Sequence, residues 1–346
     1  MDILTTRARM RRRALAGIVL ASTVATVTHT ANATDLSVCK TGCPYATIQS
    51  AINNSRSGDV IHIGAGTYFE NLLIEGERLT LIGAGEDLTE INGSDRGTVI
   101  TLGTLDVELP QTVSIIGVSV THGNGPDGGG IVARGAVLDL QNSIVASNQS
   151  TGRGGGIAID TFGLFVSTIT RCMIVHNRSA DAGGGINVGV EAEIQITDST
   201  IARNTAATFG GGVHGEGASS TTIQGTTVSD NTAHASGGGL YVDFGLPKGA
   251  MLVTGSSLIA NSADQDGGGA DAGGHLSLVS TVVARNTAGG NGGGVVEALS
   301  LNDVFVVQNR AGGQGGGVFN VFALTNSTVA DNVPDNCVNN VGGSCP

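Results

Sequence analysis

The sequence predicts an all-β solenoid: a parallel β-helix covered at its N-terminal end by one short helix. Three observations predict it. A unit of 23 to 30 residues returns along the chain, marked by Asn148, Asn177, Asn204, Asn231, Asn261, Asn286, Asn309 and Asn332. A Gly triplet begins six residues after each of the first seven, at Gly154, Gly183, Gly210, Gly237, Gly267, Gly292 and Gly315. Apolar residues keep fixed offsets from each Asn, and the offsets differ by two or three rather than by a helical period.

The columns show how the unit is built. Val145, Ile174, Ile201, Val228, Leu258, Val283, Val306 and Val329 stand three residues before the Asn. Leu140, Ile169, Ile196 and Ile223 begin a second column eight before it, and Ile157, Ile186, Val213 and Leu240 a third after the glycines. Each repeat reads as about three short strands that cannot bury a face alone, so stacking must close the core. Coils then follow one another at about 4.8 Å, which leaves little room for Cβ atoms in a repeated bend. Asn tolerates the left-handed region and can bond its own kind above and below, so its column reads as a structural ladder.

In chain order, Arg7 to Arg13, an apolar run from Ala14 to Val27 and Ala31-Asn-Ala33 read as a secretory signal over residues 1–33. Residues 34–346 are expected to form one β-helix domain. Within it, 38–126 form the N-terminal cap and irregular coils, 127–335 the regular repeats and 336–346 a C-terminal cap. Tyr45 to Asn53 is the one helical stretch, with Ile48, Ala51 and Ile52 on one face and Thr47 as its cap. Cys39 with Cys43, and Cys337 with Cys345, read as local disulfides at the two ends of an exported chain; metal binding is the alternative for such spacings. Cys172 sits in a Ser/Thr column as a small buried filler.

The opening, TIQSAI through GDVIHIGAGTYFENLLI to LTLIGAG, resembles the N-terminal coils of the pectin-lyase-like superfamily of right-handed parallel β-helices. The later part is similar to polymorphic outer-membrane protein repeats, through GGGI at 154–157 and 183–186 and IARN at 201–204. Together these cover about residues 38–335. The resemblance implies a right-handed coil of about eleven turns. For activity it implies only a range, from lyases, esterases and hydrolases to adhesins.

Charge narrows the partners. Without residues 1–33, which hold five Arg and one Asp, 12 basic residues face 28 acidic ones, a formal charge of −16. That disfavours nucleic acid, anionic membranes and an unbridged polyanionic substrate. No apolar run is long enough to span a membrane. No GxSxG or HExxH occurs, and the GxGxxG of Gly123 to Gly128 has no helix after it. No catalytic set stands out, nor the paired aspartates of pectin esterases. His176, Arg203 and Asp230, consecutive in the outward column before the Asn, come nearest to an acid–base trio. Asp264, Asp266 and Asp271 around the triplet that begins at Gly267 are the candidate Ca²⁺ ligands, and Ca²⁺ is the one cofactor considered. Two insertions, Thr161 to Phe165 and Asp243 to Gly249, follow the glycine strand three coils apart, and any groove is expected between them.

The first functional expectation is a secreted or cell-surface protein without catalysis, adhesive or envelope-associated. Its partner would be an extracellular polysaccharide or another envelope protein. The alternative is a polysaccharide lyase or hydrolase. A groove lined by paired carboxylates and Arg on adjacent coils would favour the enzyme.

Overall fold

Offsets of two along a strand put every second side chain on one face, and the described chain stacks those faces inward. In the computed structural model, residues 33–103, 111–161, 165–243 and 249–339 are described. The leader expected over 1–33, the centres of both insertions and Cys345 lie outside or almost wholly outside them. The chain winds as a right-handed parallel β-helix. Each regular coil has four strands, not three. A twelve-stranded sheet one begins at Asp35–Val38, and an eleven-stranded sheet two at Gly66–Phe69. Sheet three has eight strands of two residues, beginning at Asn124–Gly125, and sheet four has eleven, beginning at Leu72–Ile74. Sheet three went unseen in the sequence because two residues carry no periodicity.

The aliphatic columns are in vertical register. Val145 pairs with Ile174, Ile174 with Ile201, Ile201 with Val228 and Val228 with Leu258, all fully buried. Truncating one such Ile to Ala would cost about 2–5 kcal/mol. Ile48, Ala51 and Ile52 of the helix Ile48–Ile52 are buried over the first coil. Thr47 accepts from the Ser50 N–H, and the Glu70 carboxylate accepts from the N–H groups of Ile48 and Gln49 at 2.8 and 2.9 Å. An anion at the helix start satisfies donors that have no partner within the helix. Cys39 and Cys43 form a disulfide, while Cys172 is buried with its thiol pushed up to about 11 by burial.

The Asn ladder satisfies every polar position of its side chains. Asn231 Oδ1 accepts from both the backbone N–H and Nδ2 of Asn204, and its Nδ2 donates to Ile201 O and Asn261 Oδ1. The left-handed residue is not the Asn but the one before it: Ser147, His176, Arg203 and Asp230 have φ of 54° to 57°. That turn bends the chain and directs the Asn amide inward. At the second glycine no Cβ fits. One on Gly211 would stand 2.4 Å from Gly238 O in the next coil. Among the described residues no helix is long and apolar enough to cross a membrane.

Candidate active site

His176, Arg203 and Asp230 lie one above another on an exposed flank. No hydrogen bond or ion pair joins them; the left-handed turn splays each side chain into solvent. The three candidate Ca²⁺ ligands are not gathered either. Asp264 faces His234 at 2.9 Å, Asp266 accepts the N–H of Asn291, and Asp271 is buried in the strand Ala270–Asp271. Among the described residues no three His, Cys, Asp or Glu side chains are grouped to hold a metal.

Polar chemistry gathers instead on the outer side of sheet four. A cleft of about 580 Å³ is lined by Asp127, Arg134, Arg153, Ala158, Asp160, Asn187, Val190 and Glu216. Two columns supply most of it, four and six residues after the first glycine of each triplet. The first runs Ala158, Asn187, His214 in register, and the second holds Arg134, Asp160, Glu216 and Asp243. Asp160 and Asp243 stand where the two insertions begin, so the groove occupies the side that the sequence indicated.

Its carboxyl groups are held differently. Glu216 Oε1 accepts from Arg153 Nη1 at 2.6 Å and from Asn187 Nδ2 at 2.8 Å. Arg153 Nε also donates to Asp181 at 3.1 Å. Partial burial opposes the Arg153 charge, and these two carboxylates more than offset it. Asp160 has only Arg134, at 3.9 Å, and accepts no side-chain hydrogen bond. Burial, with Glu216 and Asp127 nearby, pushes its carboxyl above the usual range despite Arg134 and Arg153. Arg134 also meets Asp127 at 3.3 Å. Behind the cleft, burial raises Asp243 but His214 and Arg153 more than offset it, leaving it below the ordinary value.

Asp271, further along the outward column of Asn187 and His214, is buried beside Tyr241, and its Oδ1 has no hydrogen-bond partner. Burial first, and Asp266 and Glu297 next, push it to about 7. The folded state then holds a proton there that the unfolded chain releases near pH 3.8, so stability falls as pH rises between these values. Denaturant unfolding should therefore show on the order of 2–3 kcal/mol more stability at pH 5 than at pH 8. Asp271→Asn should abolish that difference. An unchanged slope in the variant would contradict the assignment.

No family model matches the chain, and no curated protein matches it. Solved structures are similar over most of its length. A pectin methylesterase from carrot is 11% identical with a TM-score of 0.44, the match covering 90% of this chain and 86% of that one. The pectate lyase Pel9A is 12% identical with a TM-score of 0.42, covering 88% and 78%. A pectin methylesterase from Aspergillus niger is 13% identical with a TM-score of 0.31, covering 89% and 90%. The chemistry of the cleft is read from its own side chains.

Proposed function

We propose that this protein cleaves a glycosidic bond in a neutral extracellular polysaccharide, with the sheet-four cleft as its active site. The observation that carries the reading is the contrast between Asp160 and Glu216: one carboxyl with its pKa raised and without a donor, the other clamped by Arg153 and Asn187. Groups whose environments differ in this way divide into acid and base. Asp160 gives its proton to the leaving oxygen as the bond from the anomeric carbon to that oxygen breaks. Glu216 faces the developing positive charge, and its Oε2, free of side-chain partners, takes the proton of the water whose hydroxyl joins the anomeric carbon.

The charge balance argues for a neutral chain. Among the lining residues Asp127, Asp160 and Glu216 face two Arg, and both Arg are already paired. A uronate would meet an acidic cleft with its cations engaged. Export is part of the reading, supported by the disulfide Cys39–Cys43.

A second reading, the adhesive surface protein, has an observation of its own. The outward columns of sheet two, from Ser119 and Thr121 to Thr328 and Ala330, contain no charged residue and expose Met173, Val282 and Phe305. Incubating the purified chain with neutral and acidic polysaccharides, with and without Ca²⁺, separates the readings. Reducing ends released from a neutral polymer support the hydrolase. Unsaturated ends from a uronate polymer would mean a lyase, and binding without any product would return the adhesive reading.

A further inference from the structure

His214 points outward from the strand Val213–Gly215, yet only 3% of it is exposed. Its ring lies beside Tyr241, with centroids 5.6 Å apart, and Phe209 stacks on Tyr241 at 4.5 Å. Gly210 passes over its Cα and Cβ so closely that any side chain there would strike them. A buried imidazole needs defined partners for both nitrogens. Here Nδ1 is 2.7 Å from Asn187 Oδ1 and Nε2 is 3.2 Å from Asp243 Oδ1.

The direction of these bonds follows from the far end of the network. Glu216 Oε1 is a carboxylate oxygen already paired with Arg153, so it can only accept. The Asn187 amide must therefore turn its NH₂ toward Glu216 and its oxygen toward His214. Nδ1 then has to donate. Asp243, a carboxylate beside Nε2, also offers only acceptors, so Nε2 has to donate as well.

We infer that His214 donates from both ring nitrogens, to Asn187 and to Asp243, and is thereby the positioning residue that holds Glu216 in place in the cleft. The positioning role rests on the hydrolytic reading given above; the bond directions do not. Asp243, His214, Asn187, Glu216, Arg153 and Asp181 form one line of alternating donors and acceptors across adjacent coils. Its effect is to fix Oε1 and leave Oε2 for the substrate side. His214 never touches the reacting atoms.

The test uses the exported chain with ¹⁵N-labelled histidine, the His214 signals being assigned by their loss in His214→Gln. Long-range proton–nitrogen spectra at pH 7 should show protons on both His214 ring nitrogens. In Asp243→Asn the new amide can donate, so Nε2 should become bare while Nδ1 keeps its proton. A bare nitrogen in the unaltered chain overturns the assignment. On a polymer that the chain cleaves, Asn187→Ala should lower kcat by about 100-fold with little change in KM, as expected for a carboxylate set loose by about 1 Å. An unchanged kcat overturns the positioning role. If no polymer is cleaved, the hydrolytic reading and the positioning role fall together, while the spectra still decide the state of the ring.

Discussion

Replacing Asn231 with Ala should leave the regular coils unable to hold together at ordinary temperature. The side chain makes four buried hydrogen bonds, two to Asn204, one to Ile201 O and one to Asn261. Removing it strands the Asn204 N–H and one Asn204 amide proton where no water reaches, since Asn204, Asn231 and Asn261 are all essentially unexposed. Each orphaned group costs about 1–3 kcal/mol, so the sum is on the order of 4 kcal/mol. That is comparable with the whole stability of many domains. Asp230→Ala is the control next door. Asp230 has φ 54° and faces solvent, and Ala260 already takes φ 56° at the same place in its own coil. Its cost should stay within about 1 kcal/mol. Guanidinium titrations followed by far-ultraviolet dichroism would check both. Equal midpoints for the two variants would show that the ladder is decoration rather than support.

The difference between those neighbours explains what was legible in the sequence. Residues whose role is to stack repeat their identity, as Asn204 and Gly211 do, or their aliphatic character, as Ile174 and Ile201 do, because each coil makes the same demand. Their columns announce the fold. The cleft residues have to differ from one coil to the next. Arg134, Asp160, Glu216 and Asp243 share one offset from the glycines but not one chemistry, so they look like unrelated surface charges. Reading the columns four and six residues after each first glycine would have found them. The column before the Asn was read instead, and it leads to His176, Arg203 and Asp230, which the left-handed turn faces into water. Burial was the missing signal. Asn187, His214 and Asp271 lie on an outward face yet are covered by the glycine turns, which no periodicity of two reveals.

The second large effect concerns the cleft. Asp160→Asn preserves shape but has no proton to give, and Glu216→Gln keeps the Arg153 contact while losing the base. Each should lower kcat/KM by about 10²–10⁴-fold, the usual worth of a general acid or base. Neither loss should come from unfolding. Burial works against the charge of Asp160, so the Asn variant should be at least as stable as the parent at neutral pH. Asp230→Ala, outside the cleft, should keep full activity.

The decisive measurement is reducing-end release from one neutral polysaccharide by the parent chain, Asp160→Asn, Glu216→Gln and Asp230→Ala at equal folded concentration. The account expects product from the parent and Asp230→Ala, and almost none from the two cleft variants. Equal product from all four, or loss confined to Asp230→Ala, would contradict the placement of the site on sheet four.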